Sequence, residues 1–315
     1  MSMRWFLPAL LLACAALGLD RAAGQAQRPA PAPPADQRSA IRVQVNLVTL
    51  LASVLDSNNR PAPDLQMDQF EIFEEGKPQK IELFETETQQ PLDLVLMVDS
   101  SLSESAKLPF EVEAAGRFAR RVMRPTDRVA VYEFGDTISQ LSAFSNQPDR
   151  VRAALQRIQP GTGTALYDSV YLGAQALERS APERRRVLLL LTDAGETTSR
   201  ADFETARRAA LRAEALLYAI VVRPVNNEGG RNTAGEHALE TIADTSGGAL
   251  YFPLQITQLD EMFDRIDREL RTQYRLGYYP NPRPPEGAYR QIEVRVKGDY
   301  RVRYRKAYYA EGSAN

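Results

Sequence analysis

The 315-residue chain contains one histidine, His237, and one cysteine, Cys14. Counting alone excludes zinc sites built from four cysteines or from two cysteines and two histidines, two-histidine relays, and any disulfide within the chain. His237 itself is expected to be a partly exposed helix residue rather than a ligand. Neither charge is in excess: 39 basic side chains stand against 41 acidic ones, a formal net charge of −2. With no global field to draw in nucleic acid or anionic lipid, a nucleic-acid partner is not expected. Beyond the N-terminal segment there is no apolar run of the roughly 18 residues a membrane span needs. What remains available as chemistry is carboxylate, hydroxyl and bound cation.

The first thing present is a targeting pattern. A basic start, Met1–Arg4, leads into the apolar run Trp5–Leu19 and then the small residues of Ala22-Ala23-Gly24-Gln25-Ala26. This reads as a signal peptide over 1–26, cut after Ala26, which makes the remainder secreted, periplasmic or envelope-associated. Leu11-Leu12-Ala13-Cys14 also resembles a lipoprotein box, and lipidation of Cys14 would be the one route to membrane attachment. Otherwise Cys14 is another small apolar residue of the signal. Residues 27–40, with Pro29, Pro31, Pro33 and Pro34 among alanines, read as an extended linker.

Residues 41–90 read as β structure. Val43, Val45, Leu47, Leu51 and Val54 follow the period of a half-buried strand, and Phe70–Glu74 runs into a Glu75-Gly76 turn with Ile81–Phe84 as the expected hairpin partner. At Pro91 the pattern changes. Leu92–Val98 is almost continuously apolar, as a strand covered on both faces must be, and a helix is expected from about Glu104 to Met123. Strands at 128–134, 139–144, 186–192, 216–222 and 249–252 then alternate with helices at 148–158, 166–179, 202–214, 236–245 and 257–271. This predicts an α/β fold, a doubly wound and mostly parallel sheet over 91–271. Residues 272–310 return to strands at 273–279, 291–296 and 301–308. Neither flank is long enough for its own two-sheet core, so the two are expected to pack together as one sandwich-like module around the inserted α/β segment. Arg184–Arg186 and Arg301–Lys306 are expected to be solvated faces, and Tyr278, Tyr279, Tyr304, Tyr308 and Tyr309 strand packing.

Three sequence features carry chemistry. Asp99-Ser100-Ser101-Leu102-Ser103, a D-x-S-x-S string, stands at the carboxyl end of the first buried strand, where ligands of open α/β sheets bind. Gly161-Thr162-Gly163-Thr164-Ala165-Leu166-Tyr167-Asp168 opens a helix, and Leu188–Leu191 ends in Thr192-Asp193. Such oxygen donors suit a hard divalent cation. Taken singly, Ser101 or Ser103 would cap a helix starting near Glu104, Thr164 would cap the next, and Asp193 would be a turn residue.

Together these motifs resemble the von Willebrand factor A domain with a metal-ion-dependent adhesion site. The flanks, including Asp68-Gln69-Phe70, Glu75–Ile81 and Gln273–Pro280, are similar to the secreted, acidobacterial-type relatives of that family. The resemblance implies a metal site formed by Asp99, Ser101, Ser103, Thr164 and Asp193, with Mg2+ as the expected ion and Mn2+ or Ca2+ as alternatives. It further implies adhesion-type binding of a protein partner whose acidic side chain completes the coordination sphere. Many family members carry glycine at the place of Leu102 and directly after the third-loop aspartate, where this chain has Ala194. Two other classes compete. A metal-dependent phosphohydrolase would use Asp99 as nucleophile, but such enzymes commonly carry a second carboxylate where this chain has Ser101. A structural envelope module would use the metal only to staple loops. The sequence leaves the oligomeric state open.

Overall fold

The computed structural model describes residues 47–86, 90–222 and 232–310; the expected signal segment 1–26, the linker 27–40 and the start of the first expected strand lie outside them. The described part opens with β1 (Val48–Leu55), β2 (Phe70–Glu74), β3 (Lys77–Gln79) and β4 (Ile81–Glu85). It continues through β5 (Leu92–Asp99), α1 (Leu108–Val122), β6 (Arg128–Phe134), β7 (Ile138–Ser145), α2 (Pro148–Leu155), α3 (Leu166–Glu178) and β8 (Arg185–Thr192). Next come α4 (Phe203–Arg212), β9 (Leu216–Val221), α5 (Thr233–Ser246), β10 (Ala249–Tyr251) and α6 (Leu259–Arg271). The last strands are β11 (Tyr274–Tyr278), β12 (Tyr289–Val296), β13 (Arg301–Tyr304) and β14 (Ala307–Tyr309).

A strand apolar on both faces must be covered on both, and every residue of β5 and β9 is buried. Among the described residues these strands belong to a six-stranded sheet of order β10-β9-β8-β5-β6-β7, parallel except for the edge strand β7. Leu94, Leu96 and Val98 point into one core with Phe118 of α1, Leu155 of α2 and Phe263 of α6. Val95 and Met97 point into the other, with Val170 of α3, Ala210 of α4 and Leu239 of α5. Each such leucine contributes about 1.5–3 kcal/mol on burial. The fold is the doubly wound α/β arrangement expected, and it gathers the loops at the carboxyl ends of β5, β6 and β8.

The remaining strands form two antiparallel sheets, β13-β1-β11-β4 and β14-β12-β2-β3, in which strands preceding the α/β segment pair with strands following it. Leu50, Phe70, Ile72, Tyr274, Tyr278 and Val294 share the core between them. At its centre Glu74, only 1% exposed, accepts hydrogen bonds from Tyr278 Oη (2.7 Å), Tyr308 Oη (3.0 Å) and Arg290 Nε (2.8 Å).

Several local expectations are corrected. The Glu75-Gly76 turn has both φ angles positive (50° and 74°), the geometry of a two-residue hairpin. The strand therefore returns at once as Lys77–Gln79, and the expected partner, Ile81–Phe84, crosses to the other sheet to pair with β11. The expected strand 301–308 breaks at Arg305-Lys306, because Lys306 N donates to Thr245 O (2.9 Å) and Arg305 donates to Thr49 O (3.0 Å), so β13 and β14 join different sheets. The helix expected from Glu104 starts at Leu108, after turns over residues 101–107. Arg184–Arg186 is not a solvated face: Arg185 is 2% exposed and Arg184 Nε donates to Asp93 at 2.6 Å. Within 301–306, Arg305 is likewise buried whereas Arg301 is exposed. Of the tyrosines, Tyr278, Tyr304 and Tyr308 are buried in strand packing as expected, and Tyr279 is exposed.

Candidate metal centre

Asp99 ends β5 because Ser100 turns away from the strand: its N–H donates to Phe134 O (2.8 Å) and its carbonyl accepts from Gly161 N (2.6 Å), tying the first loop to the second. Asp99 is fully buried. Its Oδ1 accepts from Ser101 N (2.9 Å) and its Oδ2 from Thr192 Oγ1 (2.5 Å). The Ser101 and Ser103 hydroxyls lie 3.1 Å apart; Ser101 is buried and Ser103 exposed, so the group opens to solvent on the Ser103 side. Neither serine caps α1, whose N-cap is Lys107 without a side-chain bond.

On the second loop Thr164 is buried and Thr162 is exposed. Thr164 does not cap α3; its N–H is held by Thr197 Oγ1 at 2.8 Å, and its carbonyl accepts from Thr197 N at 2.9 Å. On the third loop Asp193 Oδ1 accepts from Gly195 N at 2.8 Å. A Cβ added at Gly195 would lie 3.0 Å from Asp193 Oδ1 and 3.2 Å from Thr164 Oγ1. The two side chains thus converge on a space that only glycine leaves open.

Burial is the main force on Asp99, pushing its carboxyl up to about 7; the bonds from Thr192 and Ser101 oppose this and the charge of Asp193 adds to it. A buried carboxylate that feels the charge of a second one is what a divalent ion would relieve. Among the described residues no group of three or more histidine, cysteine, aspartate or glutamate side chains could hold a metal. Any ion here would therefore rest on hydroxyls, water and no more than two carboxylates, a set that a hard cation accepts. Beside it, a cleft of about 550 Å3 opens between Asp136, Ala165, Asp168, Tyr171 and Arg200.

Sequence reasoning missed the residues that hold this set in place. Thr192 fixes Asp99, Thr197 fixes Thr164, and Asn232 Nδ2 donates to Asp193 O at 3.2 Å. Only Thr192, adjacent to Asp193 at a strand end, carried a signal. The departures from the family pattern also acquire a physical content. Ala194 adopts a left-handed φ of +63°, the conformation glycine supplies without strain, and Leu102 projects into solvent at 64% exposure.

Residues 94–196 match the family model of the von Willebrand factor type A domain. No curated protein matches the chain. Among solved structures, a von Willebrand factor type A protein from Catenulispora acidiphila superposes with a TM-score of 0.51 at 12% identity, over 86% of this chain and 76% of its own. The conserved hypothetical protein BatB from Bacteroides thetaiotaomicron is covered over 100% of its length and 57% of this chain, with a TM-score of 0.46 at 14% identity. The pilus adhesin SpaC from Lactobacillus rhamnosus GG is matched over 44% of its length and 81% of this chain, with a TM-score of 0.48 at 9% identity. At these identities the likeness is one of fold. The family match thus falls on β5 to β8 and the loop cluster at the carboxyl ends of those strands, and there this chain is similar to the von Willebrand factor type A domain.

Proposed function

We propose that the protein is an exported binding module which takes a divalent cation, Mg2+ in the first instance, at Asp99, Ser101, Ser103, Thr164 and Asp193, and through it an acidic side chain of a protein partner. The observation that carries this reading is the buried Asp99 carboxylate beside the Ser101 and Ser103 hydroxyls, feeling the charge of Asp193, whose carboxylate in turn faces Thr164 across Gly195. When bound, the cation would supply a positively polarised coordination position that a partner's carboxylate can complete. The Ser101 and Ser103 hydroxyls serve as direct donors, Thr164 joins them when the partner is engaged, and Asp99 and Asp193 act largely through water. Few direct carboxylates leave the site net positive toward an incoming anion. Thr192 and Thr197 position Asp99 and Thr164 and need not touch the ion.

Calorimetric titration of the metal-stripped protein with Mg2+ and Mn2+, beside a pulldown from envelope extract with and without chelator, tests this reading. The expected result is a cation-binding heat and a partner retained only with cation, both absent in Asp99→Ala; a partner captured equally in chelator would overturn it. Turnover of a phosphoester that disappears in Asp99→Asn would make the protein an enzyme instead. Cation-dependent thermal stability without any cation-dependent partner would make it a structural module. Export with cleavage after Ala26 is part of the proposal; N-terminal sequencing of the exported chain decides between that cut and a lipidated Cys14. Among the described residues no helix is long and apolar enough to cross a membrane.

A further inference from the structure

Away from the loop cluster, a cleft of about 590 Å3 runs between α6, the edge strand β10, the turn after β1, and β13. Its charge is out of keeping with a chain whose net charge is −2: Arg60, Arg265, Arg268, Arg301 and Arg303 line it against only Glu261 and Glu269. Part of this is fixed internally. Arg303 donates to Glu269 at 2.7 Å, and Glu269 is itself buried and accepts from Tyr218 Oη (3.0 Å) and Tyr251 Oη (3.1 Å). Arg265 meets Glu261 at 2.6 Å and Arg60 meets Asp56 at 2.9 Å. Arg268 and Arg301 are exposed, and among the described residues neither has a carboxylate partner; the Nε of Arg268 donates only to the backbone of Asp264.

The spacing of these cations says what they fit. Arg301 and Arg303 alternate on one face of β13, about 6.6 Å apart along the strand, and Arg265 and Arg268 are neighbours at i and i+3 on α6, with Cβ atoms about 5–6 Å apart. A single phosphate is gripped by donors gathered at one point; here the arginine positions are spread along two walls, with Arg301 on β13 and Arg268 on α6 as the exposed members that carry no carboxylate partner among the described residues. Leu55, Pro61, Leu250 and Tyr251 add apolar surface between the walls. Guanidinium groups pair with carboxylates, as with phosphates, in bidentate fashion, so it is the spread of the arginines along two walls that favours a chain of carboxylates.

We propose that this cleft is a second, cation-independent site that binds an extended acidic peptide segment of a protein partner, with carboxylates at alternate positions meeting the arginines and the intervening apolar side chains lying on Leu250 and Tyr251. It does not rest on the metal-site reading.

The test uses a fluorescein-labelled (Glu-Val)4 peptide, followed by fluorescence anisotropy against the full exported chain in chelator. Binding is expected in chelator, unchanged in Asp99→Ala, about tenfold or more weaker in Arg268→Glu/Arg301→Glu, and largely retained in Arg268→Lys/Arg301→Lys. Weakening as salt rises is expected as well, because part of the cleft is open to solvent. Circular dichroism of the Glu variant checks that it folds; were it unfolded, the comparison passes to Arg268→Gln/Arg301→Gln, for which a loss of several-fold is expected. The proposal is overturned if the peptide fails to bind in chelator or if either charge-altering pair leaves its affinity unchanged. It is also overturned if inorganic pyrophosphate or a heparin hexasaccharide displaces the peptide more effectively than unlabelled (Glu-Val)4, which would make the cleft a phosphate or sulfated-glycan site.

Discussion

The two ends of strand β5 each carry a fully buried aspartate, Asp93 and Asp99, and the molecule treats them in opposite ways. At the amino end Asp93 is embraced by Arg128 (2.9 and 2.5 Å) and by Arg184 Nε (2.6 Å). Burial raises its proton affinity, but these arginines outweigh the burial and leave its carboxyl below the usual carboxylate range. At the carboxyl end Asp99 is buried among hydroxyls and a second carboxylate, and its carboxyl is pushed up to about 7. One strand thus holds a charge the fold has neutralised for itself and one it has left to be neutralised from outside. The first is architecture; the second is the feature on which the proposed cation site rests.

The difference is broken most forcefully from the Asp93 side. Asp93→Ala leaves two arginines facing a buried space without their carboxylate, and the expected loss is about 3–5 kcal/mol of folding stability, measured by denaturant unfolding with cation absent. Asp99→Asn removes an uncompensated charge and is expected to leave the stability of the metal-free protein equal or higher, while cation binding disappears. If both variants lose stability alike, the contrast between the two ends is wrong.

Acidity separates the same pair. Asp93, with its carboxyl depressed in the folded state, adds stability that is present above its unfolded pKa of about 3.8 and is lost as pH falls through the lower folded value. Asp99, with its carboxyl raised, adds stability that is full below about 3.8 and is lost as pH rises toward 7. Metal-free protein is therefore expected to weaken between pH 4 and 7 through Asp99, and added Mg2+ to reverse the trend at the upper end. Cation affinity should climb across pH 6–8 as the Asp99 proton is displaced. Calorimetry at a series of pH values checks both, and a pH-independent affinity counts against Asp99 as part of the site.

The strands of the central sheet were legible because parallel strands covered on both faces leave uninterrupted apolar runs, as in Leu92–Val98 and Leu188–Leu191. The loops that carry Asp99, Thr164 and Asp193 were legible because strand ends in this topology face one side. What lay beyond reading was pairing at a distance. Nothing near Arg184 says that Asp93 waits 91 positions earlier, so a run of three arginines reads as a surface. Arg301–Tyr308 alternates only as far as Arg305 before Lys306 breaks the period, and nothing in that break says that the carbonyl of Thr245 takes Lys306 N and splits the run between two sheets. Thr197 and Asn232 support the site from loops whose approach depends on the whole fold.

A smaller effect sharpens what an unneutralised carboxyl costs when no ligand explains it. Glu111 on α1 is fully buried, and neither of its oxygens has a donor among the described residues. Burial first, then the neighbouring Glu104, pushes it up to about 10. Glu104 Oε1 is taken by Lys107 Nζ at 2.7 Å while its Oε2 has no donor; a proton on Glu111 can supply one. The raised value means that folding takes up a proton between about pH 4.5 and 10, so stability falls as pH rises through that window. Glu111→Gln needs no proton and is expected to gain on the order of 1–3 kcal/mol at pH 7, the gain fading toward pH 4. A gain that persists at pH 4 would point to packing rather than protonation.

The finest adjustment lies next to Asp193. Ala194 holds φ at +63°, which costs a residue with a Cβ about 1–2 kcal/mol. Replacing it by glycine removes that strain, but it also strips a fully buried methyl group worth about 0.8 kcal/mol and adds unfolded-chain freedom worth about 0.5–1 kcal/mol. These terms nearly cancel, so Ala194→Gly is expected to change stability by less than about 1 kcal/mol, read by thermal unfolding. Cation binding should be unaffected, since the Asp193 carboxylate is set by the N–H of Gly195. The methyl sits in the same core as Val170 and Leu239, and Ala194 O faces Gly235 so closely that a Cβ there would lie 1.9 Å away. A loss above about 2 kcal/mol would therefore show that the alanine clamps the third loop against α5, and that the Asp193 end of the site is held by packing where its neighbour Asp99 is held by hydroxyls.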